Sequence, residues 1–316
     1  MNSFTFEAAT DEPSALRAAA RPAAAFIAGG TTLVDLWKMG AVQPAHVVDI
    51  NALPYRGVTV TTQKLQLGAL ERMASAADHP DLARLYPLVA KSLLLAASAQ
   101  LRNMASLGGN LLQRPRSDTY RHPELRNLGL YPTRNDAIFA TDGRVAFPHP
   151  SDFAVAMTAL DASVRLHSPR GERVVELAKF YLAPDDTPER FTVLANDEII
   201  TSIEAPGLSY GQRSTYLKIR DRSSYQFALV SVAVALDVEG GKIRDARVAA
   251  GGVGAKPWRL PQVETALRGK PNGRPSYEAA AQLAGEGAQT HEHNAYKVAL
   301  LERTIVRALM EIGGVA

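Results

Sequence analysis

Apolar residues in the first 55 positions come in short bursts whose period alternates between two and three to four. Ser3 to Phe6 reads as a strand and Ser14 to Ala20 as an Ala-rich helix. Ala24 to Ala28 reads as a brief apolar strand, Leu33 to Met39 as a helix and Val47 to Ile50 as a strand. The next stretch predicts paired strands at Val58 to Thr62 and Lys64 to Leu70. Helical spacing follows over His79 to Ala99, with Pro87 as a break or first-turn residue. Residues 114–150 carry Arg, Pro and Asp with little periodicity, and so long a loop is usually functional. Ser151 to Leu160 predicts a helix capped by Ser151, Ala162 to His167 and Arg173 to Leu177 a hairpin, and Ile199 to Glu204 a strand ending at Pro206. Beyond Ser214 the pattern becomes that of an antiparallel sheet, with strands at Thr215 to Ile219, Ala228 to Val238 and Ala246 to Ala250. Helices follow at Gln262 to Leu267, Tyr277 to Ala284 and Asn294 to Ile312, the last with an apolar face at Val298, Leu301, Ile305 and Leu309. The composition break over 208–214 divides the chain into units 1–55, 56–210 (with the insertion 114–150) and 211–316.

Composition narrows the function. Of 316 residues, 46% are hydrophobic and 21% charged, ordinary for a globular protein. Thirty-five basic and 32 acidic residues leave a formal charge of +3, with no Lys/Arg block, so nucleic acid is not an expected partner. The longest apolar stretch, Phe227 to Leu236, is too short to span a bilayer. The N-terminus lacks the charged-then-apolar pattern of a leader. Cysteine is absent, which excludes disulfides, thiol nucleophiles and thiolate-held iron–sulfur clusters. The default compartment is the cytoplasm.

Two glycine turns are the chemical candidates. In Phe26-Ile27-Ala28-Gly29-Gly30-Thr31-Thr32-Leu33 an apolar strand enters a glycine pair and a helix leaves it, an arrangement that brings backbone N–H groups close to a phosphate. Ser106-Leu107-Gly108-Gly109-Asn110 is the second. Each alone is more often an ordinary turn; two in one unit point to loops gripping one extended anion such as a dinucleotide pyrophosphate. Neither is a G-x-G-x-x-G motif, and Gly251-Gly252-Val253-Gly254-Ala255-Lys256 lacks Walker A spacing and reads as a turn. His291 and His293, two apart, point to different sides of a helix, so that segment reads as a cap rather than a metal site. A Ser-His-Asp triad built from separate segments stays open, with no G-x-S-x-G elbow to support it. In Tyr216 to Arg222, alternation puts Lys218, Arg220 and Arg222 opposite Leu217 and Ile219; spacing alone favours a solvated cationic face.

Taken together, the two glycine motifs, Gln100-Leu101-Arg102-Asn103, Gln113-Arg114 and His149-Pro150-Ser151-Asp152 resemble the FAD-binding subunit of molybdenum hydroxylases, the xanthine dehydrogenase and aldehyde oxidase family. The C-terminal pieces Asp197 to Ile200, Tyr216 to Arg222, Ser224 to Ala228 and Lys256-Pro257-Trp258-Arg259 agree. The chain looks most like the flavin subunits of bacterial, periplasmic-type aldehyde oxidoreductases. The resemblance implies an α+β, vanillyl-alcohol-oxidase (PCMH)-type FAD-binding fold of two lobes. A C-terminal α+β domain like that of the carbon monoxide dehydrogenase flavoprotein would follow. It implies non-covalent FAD, with Phe26 to Leu33 on the pyrophosphate and Ser106, Gly108, Gly109 and Asn110 completing the cradle. Asp152 would bond ribose or ribityl hydroxyls, Ile200 would lie against the ring, and Lys218 would stand near its pyrimidine edge. The implied partners are a large molybdopterin-binding subunit, a small subunit with two [2Fe-2S] clusters, and an external electron acceptor. A partner with a twin-arginine signal could carry the chain to the periplasm.

Two departures stand out. Relatives in this branch hold a [4Fe-4S] cluster on four cysteines between the second turn and His-Pro-Ser-Asp. This chain keeps the insertion, including Ser117 and Asp118, without a cysteine, so no cluster is expected. Thr32 stands where relatives often have Asn, a change of small effect if backbone amides hold the phosphate. The rival readings are a free-standing flavin oxidase or dehydrogenase of the same fold, and a scaffold that has lost its cofactor.

Overall fold

The computed structural model describes residues 3–61, 63–114, 132–141, 147–182 and 190–314. Most of the insertion, with Ser117, Asp118 and His122, lies outside them. The chain begins with β1 (Thr5–Ala8), α1 (Glu12–Ala19), β2 (Ala24–Ile27), α2 (Leu33–Lys38) and β3 (His46–Asp49). The strands form a parallel sheet in the order β1-β3-β2, each new strand reached through a helix. Asp11 caps α1 by accepting from the Ser14 amide at 2.8 Å. Ala15, Leu16 and Ala18 of that helix close a small core with Val48, Ile50 and Leu53.

The second unit holds β4 (Val58–Val60), β5 (Lys64–Gly68), α3 (Met73–Ala77), α4 (Pro80–Leu85), α5 (Pro87–Leu95), α6 (Ala99–Met104), α7 (Leu107–Leu111), α8 (Asp152–Ala159), β6 (Ser163–Ser168), β7 (Gly171–Glu176), α9 (Leu177–Phe180) and β8 (Ile199–Pro206). Its antiparallel sheet runs β4-β5-β8-β6-β7. The helical run expected over His79 to Ala99 is two helices, broken at Tyr86 (φ −136°, ψ 62°) with Pro87 in the first turn of the second. The second glycine motif is not an open turn but helix α7, because the Ser106 hydroxyl accepts from the Gly109 amide at 3.2 Å and nucleates it. Every residue of α8 is buried, Asp152 and Thr158 included, so it is covered on all sides rather than along one stripe.

The third unit comprises β9 (Ser214–Ile219), β10 (Val230–Glu239), β11 (Lys242–Gly251), β12 (Trp258–Arg259), α10 (Pro261–Leu267), α11 (Arg274–Ala281) and α12 (Tyr296–Gly313), its antiparallel sheet ordered β12-β11-β10-β9. Val232, Val234 and Leu236 of β10 pack on Leu301, Ile305 and Leu309 of α12. The opposite face carries small residues, and Ala233 and Ala249 join the core of the second unit. That smallness lets α8 come close: a Cβ on Gly251 would lie 2.5 Å from Val155 Cγ2. The described part of the insertion docks on this unit. Lys297 Nζ donates to the carbonyls of Asn135 (2.8 Å), Asp136 (2.9 Å) and Gly252 (2.7 Å), using all three of its protons.

Candidate functional site

The first glycine turn joins β2 to α2. Gly30 sits at φ +70°, where a side chain is strained, and its carbonyl accepts from the Val34 amide at 3.0 Å. Gly29 is glycine for a different reason. A Cβ there would lie 1.9 Å from the Met104 carbonyl oxygen, so the residue is a contact point between the turn and the end of α6. None of the amides of Gly29, Gly30, Thr31 and Thr32 donates to another described residue.

The second motif differs in this respect. Its Gly108 amide donates to the Ala69 carbonyl at 2.8 Å and its Gly109 amide to Ser106 Oγ. Gly108 packs tightly against Ala69: a Cβ there would lie 3.0 Å from Ala69 Cβ and 3.1 Å from its carbonyl oxygen. The two motifs are joined by Arg72, whose backbone bridges to Ser106. Its guanidinium donates to Asn51 Oδ1 at 2.8 Å and to the Met104 carbonyl. Asn51 in turn donates to the Ala28 carbonyl at 2.9 Å and to Asp49 Oδ1 at 2.7 Å. One cationic side chain thus fixes the end of β2 against α6. Sequence reasoning missed it, because neither Arg72 nor Asn51 lies in a glycine motif.

A cavity of about 540 Å³ opens between these elements. Phe26, Ile27, Ala28, Gly29, Gly30, Thr31, Thr32 and Leu33 all line it, as do Ser106, Gly108, Gly109 and Ile200. Arg114, Phe191, Tyr181 and His149 also line it. Arg114 lies over the Phe191 ring at 4.7 Å. Arg114 and His149 stand inside the Gln-Arg and His-Pro-Ser-Asp motifs, which was the available signal for them.

Asn110, Asp152 and Lys218 lie outside that lining. Asn110 Oδ1 accepts from the Ser151 hydroxyl, and Ser151 Oγ accepts from the Ala154 amide at 2.9 Å, capping α8 at Asp152. Asp152 lines an adjoining cavity of about 180 Å³, with His149 in the lining of both. Its Oδ2 accepts from Lys218 Nζ at 2.7 Å and its Oδ1 from the Tyr216 hydroxyl at 2.7 Å. The Lys218 side chain is 1% exposed and that of Asp152 5%. The solvated cationic face expected from alternation is therefore wrong at Lys218. Facing is as read, but α5 packs on the strand and Asp152, the first residue of α8, bonds Lys218 and Tyr216, while Arg222 beyond the strand is exposed. Burial pushes the Asp152 carboxyl above the usual carboxylate range, and the Lys218 charge, the bonds from Lys218 and Tyr216, and Arg220 pull it back.

The other sequence candidates resolve simply. His291 Nε2 meets Asp136 Oδ2 at 3.0 Å, and the His291 amide donates to Asn294 Oδ1 at 2.8 Å, a turn before α12. Among the described residues no three His, Asp or Glu side chains converge as metal ligands. No described helix is long and apolar enough to cross a membrane.

Comparison with known proteins agrees with this geometry. Residues 3–208 match the family described as the FAD binding domain in molybdopterin dehydrogenase, and residues 215–312 the CO dehydrogenase flavoprotein C-terminal domain. The chain is 38% identical to the aldehyde oxidoreductase FAD-binding subunit PaoB of Escherichia coli K12, covering 98% of both chains. It is 25% identical to the carbon monoxide dehydrogenase medium chain of Hydrogenophaga pseudoflava, over 90% of this chain and 88% of that one. The solved structure of carbon monoxide dehydrogenase from Hydrogenophaga pseudoflava superposes with a TM-score of 0.79 at 24% identity over 99% of this chain and 98% of that one, which shows the common fold. The glycine turns, the cavity between them and the two family matches together make this chain a member of the FAD-binding subunits of the molybdenum hydroxylase family.

Proposed function

We propose that this chain is the FAD-carrying electron-transfer subunit of a heterotrimeric molybdenum hydroxylase, holding FAD non-covalently in the 540 Å³ cavity. The first glycine turn carries this reading. Four consecutive residues whose amides have no acceptor among the described residues line the cavity beside a left-handed Gly30, a cradle that a phosphate oxygen completes and that a side chain would strain. The residues present therefore fit the cofactor. FAD, when bound, supplies a carrier that takes electrons singly and releases them singly or in pairs.

The chain's own residues bind and orient. In this reading the amides of Gly29 to Thr32 donate to the pyrophosphate, and Phe26, Ile27, Ala28, Leu33 and Ile200 form apolar walls that exclude water. Ser106, Gly108 and Gly109 shape the opposite wall, since the amides of both glycines are engaged within the protein. Asp152 keeps free lone pairs after bonding Lys218 and Tyr216, and these accept from a cofactor hydroxyl. Asn110 positions Asp152 through Ser151, and the Lys218 charge opposes the rise that burial imposes on its carboxyl. We read the units as FAD lobes at 1–55 and 56–210 with a C-terminal domain at 211–316.

The relatives are named as medium chains and FAD-binding subunits, which supports a larger molybdopterin-binding partner and a smaller partner with [2Fe-2S] clusters. The E. coli relative's name supports an aldehyde as the substrate of the large partner. The chain itself holds no iron–sulfur cluster, having no cysteine to ligate one. An external acceptor takes the electrons. We place the complex in the cytoplasm, with export on a partner's signal as the alternative. The purified wild-type chain should contain or take up one FAD. Gly30→Asp should take up none while keeping its circular dichroism, because it sets a charge and a strained side chain in the cradle. A Gly30→Asp protein that retains full FAD overturns the phosphate assignment.

A further inference from the structure

Asp152 is gripped from one strand. Alternation along β9 puts Tyr216 and Lys218 on the same face, two residues apart, while Leu217 between them packs on the core of the third unit. The two side chains take different oxygens of the carboxylate. The Tyr216 hydroxyl donates to Oδ1 at 2.7 Å and Lys218 Nζ to Oδ2 at 2.7 Å. Tyr216 is 2% exposed, pairs with Ala233 of β10 and belongs to the core of the second unit. Burial and the Asp152 charge push its hydroxyl well above the usual tyrosine range, so it keeps its proton and acts as the donor to the carboxylate. Asp152 lines the smaller cavity, and Tyr216 and Lys218 lie outside the lining of both. One bond alone would leave the carboxylate loosely set, because the sp³–sp² torsion of an aspartate is broad. Bonds to both oxygens fix its plane, and the Ser151 cap at 2.9 Å from the Ala154 amide fixes the backbone beneath it.

We propose that Tyr216 is a positioning residue for FAD binding: its hydroxyl sets the plane of the Asp152 carboxylate so that the remaining lone pairs face a cofactor hydroxyl in the smaller cavity. This deepens the FAD reading above and rests on it. Lys218 supplies the counter-charge and Tyr216 the orientation. The groups that act on the Asp152 charge are Lys218 and Tyr216 on β9 and Arg220 just beyond it. From α5 the Leu95 carbonyl accepts from Lys218 at 3.2 Å and from Arg220 at 3.3 Å. His149, in the same cavity lining, is pulled down to about 3 by burial and stays neutral. Ser231 and Gly251, which line it from β10 and β11, carry no charge.

The test is FAD titration of the apoprotein, read by flavin fluorescence. Tyr216→Phe keeps the ring and removes the hydroxyl, and FAD affinity should fall on the order of fivefold or more. Asp152→Ala removes the group through which Tyr216 acts. Adding Tyr216→Phe to Asp152→Ala should therefore change the affinity by less than about twofold. A tyrosine that served only packing would lower affinity alike in both backgrounds. The second readout needs no FAD. Tyr216→Phe removes a bond that favours the ionised carboxyl, so the 13Cγ signal of Asp152 in the apoprotein should titrate at a higher pH than in wild type. A Tyr216→Phe protein that binds FAD within about twofold of wild type overturns the proposal. So does a loss that persists in the Asp152→Ala background, or an unmoved carboxyl titration. A wild-type chain that binds no FAD defeats the FAD reading on which the proposal rests, a distinct outcome.

Discussion

Lys218→Met tests whether the buried lysine acts through Asp152. The substitution preserves most of the volume and removes the ammonium. Asp152, at 5% exposure, then keeps the Tyr216 hydroxyl at 2.7 Å and the more distant Arg220 as its partners among the described residues. Removing one partner of a buried pair costs about 3–5 kcal/mol, because the remaining charge stays desolvated. Urea unfolding of the apoprotein at pH 8 should show that loss. The pH dependence carries a sign. Without Lys218 the folded pKa of Asp152 rises further above its unfolded value of 3.8, so the stability lost at pH 8 returns as pH falls through the folded pKa. The deficit should therefore be smaller at pH 5.5 than at pH 8. Lys218→Met with Asp152→Asn should recover most of the loss, since no charge is left unpaired. A pH-independent deficit below about 1 kcal/mol, the range of an exposed ion pair, would refute the reasoning and return Lys218 to an independent role.

Other outcomes can be checked in the same chain. Gly29→Ala places a methyl 1.9 Å from the Met104 carbonyl oxygen and should lower stability by about 1–3 kcal/mol in thermal unfolding; an unchanged curve contradicts the contact. Arg72→Lys keeps the charge but loses the fork that reaches both Asn51 and Met104, and should weaken FAD binding severalfold in the same titration. His149 titrates near 6.5 when unfolded and about 3 when folded, so protons bind the unfolded chain first and stability falls as pH drops below about 6.5. By pH 5 this contributes a loss of about 2 kcal/mol that His149→Phe should lack; parallel stability–pH curves for the two proteins would contradict it.

Much of the fold is readable in the sequence where local chemistry is decisive. Ser151 caps α8 as its position predicts, the β6–β7 hairpin follows from alternation, and the apolar spacing of Leu301, Ile305 and Leu309 gives the buried face of α12. The failures arise where a neighbour decides. Gly108-Gly109 looks like an open turn until Ser106 closes a helical turn across it. Lys218 looks solvated because sequence shows the facing of a strand but not what covers the face. The first glycine motif was legible as a unit, yet its two glycines have separate reasons. Gly30 is required by its φ, and Gly29 by a carbonyl from a helix more than seventy residues away. The Arg72–Asn51 tie was invisible for the same reason, since its partners meet only in the folded chain.

The most direct test of the central claim is an absorption spectrum of the purified chain with FAD, iron and sulfide analysis. The account predicts flavin bands, one FAD per chain and no iron. A colourless chain that takes up no added FAD, or one that retains stoichiometric iron, would contradict it.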